Sequence, residues 1–529
     1  MSTGHGPAAT DKTAAIAVEA GPAPVDTVPP MNTLVIRSLL TALARLGVAE
    51  VCVAAGARNA PVITALIESE GVKLWNFFEE RSAAFFALGR ILADRAPVAV
   101  LTTSGTAAAE LLPAVIEAHY QGLPLVLVTA DRPRRFRGSG APQAIEQKDL
   151  FGPYTAPCLD VEAGASLSWP TRLNGHPLHI NLCLDEPLDT CQPGIDFLAH
   201  PGPKPPKPAK APAFALPDRP TAVLAAGLSH EEAEAAAPVL AKLQLPIFAE
   251  ATANLWGAWA GRPDLRHLLH PADEAALSGV EAGHVLRLGG VPASRWWRDL
   301  EDRPEIHVSN VSRLPFPGLA RVENVLTLPW AALDDLPAQR LHAARIGQPP
   351  AKPPAAKHSE HAWMQALAER LPSGAQVFLG NSLPIREFNS VVPSITGSVR
   401  FLANRGANGI DGLVSSWLGA SAIERESWLI VGDLSALYDL AAPWILPQLP
   451  KANRRLVVIN NGGGKIFAQV ASLRSLSREA RHIIENRHSV RFGPWAELWG
   501  LAYVRATRPE QLDRLPDGPV LVEVVPDAA

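Results

Sequence analysis

The 529-residue sequence predicts an α/β protein of three consecutive α/β domains, each with a parallel sheet covered by helices. Three observations lead to this prediction. Short apolar stretches of strand length alternate with helical stretches along the chain. The length corresponds to three domains at roughly 150 residues per domain. Two segments rich in Pro, Lys and Ala, at 201–217 and 347–358, cut the chain into pieces of domain size.

The two Pro-rich segments set the expected domain boundaries. We expect a first domain at 31–200, a linker at 201–217, a middle domain at 218–346, a linker at 347–358 and a last domain at 359–529. Residues 1–30 lack a basic start and an uninterrupted apolar stretch, so we expect a disordered tail there and not a signal peptide.

Strand–loop–helix repetition predicts the elements of each domain in turn. The predicted strands are 51–54, 97–102 and 125–129 in the first domain, 221–227, 246–252 and 284–290 in the middle one, and 376–380, 427–432 and 454–460 in the last. Helices are predicted from about Pro61 and over 104–120. Because parallel sheets bind ligands at the carboxyl ends of their strands, we expect a site at these edges in the two outer domains.

Composition excludes several classes of protein. With 47% hydrophobic and only 19% charged residues, the chain has material for large cores and is not disordered throughout. Its 48 basic and 52 acidic residues give a net charge of −4, which argues against a nucleic-acid coat. The four cysteines, Cys52, Cys158, Cys183 and Cys191, form no CxxC pair, so we expect a reduced, cytoplasmic setting. No apolar run is long enough to span a membrane.

The strongest local motif is Gly432-Asp433-Leu434-Ser435 after one predicted strand, with Asn460-Asn461-Gly462-Gly463 after the next. Asp433 and Asn461 are 28 positions apart, a separation that suits a crossover between parallel strands. A carboxylate, an amide oxygen and a loop carbonyl are ligands for a Mg²⁺ ion that phosphates also hold. The alternative is that both segments are only turns, for which Asp, Asn and Gly are common residues.

Two further motifs give weaker evidence for a functional site. The segment GGGK at 462–465 is not a phosphate-binding loop, because Ile459 and Ile466 stand where Gly and Ser or Thr are required. Glu79 and Glu80 precede a helical stretch, and from position alone we favour a helix start over a carboxylate that shares a proton with a cofactor.

Four arginines follow predicted strands in loops marked by Gly or Pro. They are Arg58, Arg132, Arg386 and Arg405. Guanidinium groups grip carboxylates with two parallel hydrogen bonds, so this placement predicts a small substrate with several carboxylates.

The paired motifs, together with an acid in an early α/β domain, resemble the thiamin-diphosphate-dependent enzymes. Within that group the chain, over about residues 32–529, is similar to the 2-succinyl-5-enolpyruvyl-6-hydroxy-3-cyclohexene-1-carboxylate (SEPHCHC) synthase family. The segments that carry the resemblance are FFEERSAAFFALG (77–89), TTSGTAAAEL (102–111), LVTADRP (127–133), GNSLPIREF (380–388), NRGANGIDG (404–412), GDLSALYDL (432–440) and NNGGGKIF (460–467). Leu434 is specific, because most relatives outside this family have Gly there.

The resemblance implies a pyrimidine-binding first domain and a diphosphate-binding last domain. It implies metal ligands at Asp433, Asn461 and the Gly463 carbonyl. The cofactor-binding positions it implies are Glu80, Ile410, Gly432, Asp433, Leu434, Ser435, Ala436, Asn461, Gly463, Ile466 and Phe467. The catalytic and substrate-binding positions it implies are Glu80, Arg58, Arg132, Gln143, Ser382, Arg386 and Arg405.

The reaction that the resemblance implies is a transferase (carboligase) reaction of menaquinone biosynthesis. 2-Oxoglutarate is decarboxylated, and the succinyl-semialdehyde carbanion adds to isochorismate to give SEPHCHC. The implied cofactors are thiamin diphosphate and Mg²⁺, with Mn²⁺ as a substitute. The implied assembly is a homodimer or homotetramer with active sites between subunits, without nucleic acid or a membrane span.

Three residues depart from the family pattern, and two other functions stay open. Ala57 stands where a hydroxyl is common, Pro142 where an amide is common and Lys465 where Gln is familiar. The alternatives are another thiamin-diphosphate lyase, such as an acetolactate synthase or a 2-oxoacid decarboxylase, and a catalytically idle cofactor-binding protein.

Overall fold

The computed structural model describes residues 31–162, 168–173, 175–188, 192–203, 210–348, 357–423, 425–473 and 475–527. The predicted N-terminal tail at 1–30 lies outside these residues, as do 204–209 and 349–356 of the two predicted linkers. The domain boundaries therefore stay a prediction.

The first sheet has six parallel strands in the order β2-β1-β3-β4-β6-β5. Its central strands are buried along their whole length, which is why their sequences are continuously apolar. The strands are β1 (Glu50–Ala54), β2 (Lys73–Phe77), β3 (Val98–Thr102), β4 (Leu125–Asp131), β5 (Leu159–Glu162) and β6 (Leu178–Cys183). The helices are α1 (Met31–Arg45), α2 (Ala60–Ile67), α3 (Glu80–Asp94), α4 (Thr106–Ala109) and α5 (Leu112–Gln121).

The single helix predicted over 104–120 is wrong, because the structure divides it into α4 and α5. Pro113 lies in the first turn of α5. Its nitrogen carries no hydrogen for the carbonyl four residues earlier, and its ring disfavours a helical residue before it, so the helix restarts here.

The middle sheet has seven strands in the order β13-β12-β11-β7-β8-β9, with β14 also paired to β7. A separate antiparallel pair joins β10 to β15. The strands are β7 (Pro220–Ala226), β8 (Ile247–Ala249), β9 (Leu269–Pro271), β10 (Val280–Glu281), β11 (His284–Gly289), β12 (His307–Ser312), β13 (Val325–Pro329), β14 (His342–Ala343) and β15 (Arg345–Ile346). The helices are α6 (His230–Leu243), α7 (Leu255–Ala258), α8 (Pro263–Arg266), α9 (Glu274–Ser278) and α10 (Arg295–Asp299).

The last sheet has six parallel strands in the order β17-β16-β18-β19-β21-β20. The strands are β16 (Gln376–Leu379), β17 (Arg400–Leu402), β18 (Ser427–Gly432), β19 (Arg454–Ile459), β20 (Ala502–Ala506) and β21 (Pro519–Val524). The helices are α11 (Glu360–Arg370), α12 (Leu383–Val391), α13 (Leu413–Ala420), α14 (Asp433–Tyr438), α15 (Arg478–Ile484) and α16 (Gly493–Leu498). These three parallel α/β sheets confirm the predicted fold class. No helix in the described ranges is both long and apolar enough to cross a membrane.

Helices α3 and α13 join the first and last sheets through an unusually close contact. A Cβ atom at Gly89 would lie 1.9 Å from the Ser416 carbonyl oxygen, and one at Gly419 would lie 2.1 Å from the Phe86 carbonyl oxygen. Side chains of both helices share one buried core with both sheets. The two glycines therefore allow the backbones to meet without space for a side chain.

We predict that Gly89→Ala lowers the free energy of unfolding by about 2 kcal/mol or more, because overpacking outweighs alanine's better helix propensity. Chemical unfolding checks this value. The control is Gly261→Ala, where nothing lies within 4 Å of an added Cβ. Equal stability of both variants would contradict the packing argument.

Candidate functional site

The carboxyl edge of the last sheet brings Asp433 beside the Asn-Gly loop. Strands β18 and β19 are neighbours, with Gly432 paired to Ile459, so both motifs leave the sheet at the same level. The Asp433 Oδ2 atom accepts hydrogen bonds from the backbone nitrogens of Gly462 and Gly463, at 2.8 and 3.0 Å. The sequence prediction that the two motifs meet at one sheet edge is confirmed.

Gly463 can only be glycine in this conformation. Its φ is +134°, and an added Cβ would lie 2.5 Å from the Glu485 carbonyl oxygen. Its own carbonyl oxygen accepts a hydrogen bond from the Lys465 nitrogen at 2.9 Å. A carbonyl has two lone pairs, so one remains for a cation.

Asn461 presents an oxygen that lacks a partner. Its Oδ1 atom is buried and accepts no hydrogen bond from the described residues, whereas its Nδ2 atom donates to Glu360 Oε2 at 3.0 Å. Burial raises the pKa of Asp433, and His488 Nε2, 3.3 Å from Asp433 Oδ2, opposes that rise. An orphaned amide oxygen beside a buried carboxylate is a donor set that fits Mg²⁺.

The predicted metal ligands do not include a cluster of charged side chains. Across the described part of the chain, no group of three or more His, Cys, Asp or Glu side chains is arranged to hold a metal. A cation here would depend on the mixed set of carboxylate, amide and carbonyl oxygens that the sequence predicts.

The other predicted cofactor-binding residues surround this edge. Gly432 ends β18, and the buried Ser435 and Ala436 lie in α14. Leu434, Ile410 and Ile466 are half-buried, whereas Phe467 is 37% exposed.

Two of the predicted substrate arginines face a buried carboxylate of the middle sheet. Arg405 Nη1 donates to Asn381 Oδ1 at 2.9 Å, and its Nε is buried without a partner. The fully buried Glu250 follows β8 and attracts both Arg405 and Arg386. Burial lowers the pKa of both arginines and raises that of Glu250, so each charge depends on its neighbours.

Arg386 does not lie in a loop, contrary to the sequence prediction. It lies in the first turn of α12, where its Nη1 donates to the Ser382 carbonyl oxygen at 2.7 Å. Ser382 precedes the helix with φ +73°. This turn brings both residues to the same sheet edge.

The remaining substrate residues lie at the first sheet. Arg58 is buried after β1, donates to the Leu184 carbonyl and pairs with Glu186 at 3.2 Å. Arg132 Nε donates to the Pro142 carbonyl oxygen at 2.9 Å, which holds it beside the exposed Gln143. Pro142 therefore contributes its carbonyl here even though it has no donor.

The two adjacent acids at the start of α3 have different environments. Glu79 is the cap, because its side chain accepts hydrogen bonds from the Arg81 and Ser82 nitrogens. Glu80 is the first helical residue, and burial raises its pKa, with the charges of Glu79 and Glu110 adding to the rise. Glu79 therefore has the structural role at the helix start. The carboxyl group of Glu80 is easier to protonate than that of an ordinary glutamate.

Within one chain the predicted site residues form two separate groups. Among the described residues, no hydrogen bond or ion pair links the group at the first sheet, with Arg58, Glu80, Arg132 and Gln143, to the group at the last sheet.

Several residues at the site were missed by sequence reasoning. They are Glu117, whose carboxylate accepts from the Gly406 and Ala407 nitrogens, together with Glu250, Glu360 and His488. Glu250 alone carried a usable signal, since it directly follows an apolar strand. The others lie in helices or loops far from the motifs they contact.

Comparison with known proteins agrees with this geometry. The family model described as thiamine pyrophosphate enzyme, N-terminal TPP binding domain, matches residues 35–150. A 2-succinyl-5-enolpyruvyl-6-hydroxy-3-cyclohexene-1-carboxylate synthase of Akkermansia muciniphila is 39% identical over 518 residues, which cover 93% of this chain and 96% of that protein. The synthase of Bdellovibrio bacteriovorus is 39% identical over 484 residues, 87% and 89% of the two chains. That of Geobacillus thermodenitrificans is 32% identical over 534 residues, 88% and 85%.

We predict that Glu79→Ala destabilises the protein by about 1 kcal/mol, because two backbone donors of α3 lose their acceptor. Glu80→Gln should leave the unfolding midpoint nearly unchanged, since an amide oxygen can still accept the hydrogen bond that the Glu80 side chain receives from its own backbone nitrogen. Urea unfolding of both variants measures the difference. A larger loss in Glu80→Gln would reverse the roles assigned to the two acids.

Proposed function

The chain belongs to the SEPHCHC synthase family of thiamin-diphosphate-dependent enzymes, and we propose that the residues described above form its active site. The family activity is a transferase reaction of menaquinone biosynthesis, with 2-oxoglutarate and isochorismate as substrates and thiamin diphosphate and Mg²⁺ as cofactors. The predictions of family, activity and cofactors are confirmed by the comparisons.

The observation that carries the site assignment is the unpartnered Asn461 oxygen beside Asp433. We assign Asp433, Asn461 and the Gly463 carbonyl to Mg²⁺, which in turn would hold the cofactor's diphosphate next to Ser435 and Ala436. Ile410, Leu434, Ile466 and Phe467 would supply apolar contacts to the cofactor. When bound, thiamin diphosphate supplies the nucleophilic carbon and the electron sink that decarboxylation requires.

Glu80 is assigned to proton control at the cofactor. Its raised pKa favours a carboxyl group that shares a proton with a ring nitrogen, which is the contact that sets the cofactor's tautomer. Glu79 takes the structural role at the helix start, so Glu80 is free to make this contact.

The arginines are assigned to the substrate carboxylates. Arg386 and Arg405 are half-buried, and Arg405 Nε has no hydrogen-bond partner among the described residues, so it could donate to a substrate carboxylate. Arg58, Arg132, Gln143 and Ser382 would complete the substrate contacts. Two dicarboxylic substrates suit this number of cationic groups.

We further propose a homodimer, or a homotetramer built from it, in which the first domain of one chain faces the last domain of another. Two observations support it: among the described residues no hydrogen bond or ion pair joins Glu80 to Asp433 or Asn461, and exposed apolar side chains surround the start of α3. Phe78 and Trp444 are 55% and 39% exposed and contact each other edge to face, and Tyr438 is 51% exposed. A partner chain would bury this patch.

A cytoplasmic location is also part of the proposal. Cys52, Cys158 and Cys183 are free thiols, and burial raises the pKa of Cys183 to about 12. Unpaired cysteines are typical of a reducing compartment.

The decisive test is turnover of isochorismate by the purified protein with 2-oxoglutarate, thiamin diphosphate and Mg²⁺, followed by loss of isochorismate absorbance. We expect consumption by the wild type and at least about a 100-fold loss in Glu80→Gln, because the variant cannot supply the proton-sharing carboxyl group. Cofactor binding to wild type without consumption would reject the synthase assignment in favour of an idle cofactor-binding protein. Turnover of pyruvate in its place would favour another lyase. Near-wild-type turnover by Glu80→Gln would remove Glu80 from the site.

The shared site is tested by mixing two inactive variants, Glu80→Gln and Asp433→Ala. If each site combines Glu80 of one chain with Asp433 of another, a mixed dimer holds one intact site. Random pairing should then restore about a quarter of wild-type activity. Native mass spectrometry confirms that mixed dimers form. Mixed dimers without activity would show that each site uses a single chain.

A further inference from the structure

The amide of the proposed metal ligand Asn461 is held by one side chain, that of Glu360. We propose that Glu360 is a positioning residue that orients this amide for Mg²⁺, an inference that rests on the function proposed above. The contact joins Asn461 Nδ2 to Glu360 Oε2 at 3.0 Å and links residues 101 positions apart.

Orientation matters because an amide has two unlike ends. A half-turn about the terminal side-chain torsion replaces the oxygen, which binds cations, with the NH₂ group, which repels them. This torsion has a broad, roughly two-fold distribution and does not by itself select one orientation. A carboxylate only accepts hydrogen bonds, so it selects the Nδ2 end. The Asn461 Oδ1 atom is thereby left buried and without a partner.

The orientation of Asp433 does not depend on a neighbouring side chain. Its two oxygens are equivalent as ligands, and its Oδ2 is already held by two backbone nitrogens, those of Gly462 and Gly463. Of the two proposed side-chain ligands, Asn461 is therefore the one whose orientation depends on a neighbouring side chain.

Glu360 is itself held in place by the fold. It is the first residue of α11, whose cap is Ser359 and whose buried side chains include Trp363. The residue before the cap, His358, accepts a backbone hydrogen bond from Asp527 at 3.0 Å, just beyond β21. The helix start is thus tied both to the core and to the end of the sheet that carries the metal site.

The test measures Mg²⁺ affinity and not turnover. Mg²⁺ is titrated into the full-length protein saturated with thiamin diphosphate, by calorimetry and by tryptophan fluorescence. We expect Glu360→Ala to raise the apparent Kd for Mg²⁺ by about 10-fold or more, since loss of a residue that orients a ligand typically costs 10–100-fold. Wild-type affinity in this variant would overturn the proposal.

Two further variants separate orientation from charge. Glu360→Gln keeps the reach but can face Asn461 with either its oxygen or its NH₂ group, so its Kd should rise by less than that of Glu360→Ala. Glu360→Asp keeps the charge at the helix start but is one methylene too short for the contact, so it should lose affinity as Glu360→Ala does. An Asp variant with wild-type affinity would overturn the proposal even if Glu360→Ala failed to fold.

A double-mutant cycle with Asn461→Asp isolates the orienting effect. In that background both ligand oxygens are equivalent and nothing needs orienting, so Glu360→Ala should cause no further loss of Mg²⁺ affinity. A full additional loss would mean that Glu360 acts by another route, and the proposal would fail.

The matched control is Ser359→Ala, which removes the cap of the same helix. It should lower the free energy of unfolding by about 1 kcal/mol and leave the Mg²⁺ Kd unchanged. A loss of affinity equal to that of Glu360→Ala would make the effect a general result of a weakened helix and would overturn the proposal. If the wild type bound neither Mg²⁺ nor thiamin diphosphate, the proposed function would fail as well, so the two failures are distinguishable.

Discussion

The close packing of α3 on α13 is the contact on which both halves of the site depend. Glycines at 89 and 419 let the two backbones approach, and Ser416 at this contact accepts a hydrogen bond from Asn404. Glu80 begins one of these helices, and the loop that carries Arg405 leads into the other. A shift of the helix pair would therefore move together Glu80, proposed to share a proton with the cofactor, and Arg405, proposed to bind substrate.

Two loops and the start of α13 are held in the same way, by a buried carboxylate that accepts hydrogen bonds from two successive backbone nitrogens. The three examples are Glu117 with Gly406 and Ala407, Asp439 with Val414 and Ser415, and Asp433 with Gly462 and Gly463. Burial raises the pKa of each acid, to about 6 for Asp439, and the hydrogen bonds lower it. The hydrogen bonds thus partly offset the desolvation cost of burying each carboxylate.

Much of the fold followed from local pattern. Buried parallel strands are continuously apolar, so three interior strands of each sheet were predicted close to their observed bounds. The interior strands β12 and β21 were not predicted. Edge strands such as β5 and β20 are partly exposed and mixed in composition, and they were not predicted. The break between α4 and α5 was missed although Pro113 is a visible signal, because apolar spacing was given more weight than the proline.

By itself, the sequence determined the α/β class, the meeting of Asp433 with the Asn-Gly loop, and the two adjacent acids at the start of α3. These features arise within one strand or between strands that follow each other in the chain, so periodicity and motif order are sufficient. Only the tertiary structure decided that Glu79 is the cap, that Glu250 faces Arg386 and Arg405, and that Glu360 holds Asn461. Such contacts depend on how helices and sheets distant in sequence pack together. The spacing of apolar residues within either segment does not indicate which distant segment it will contact.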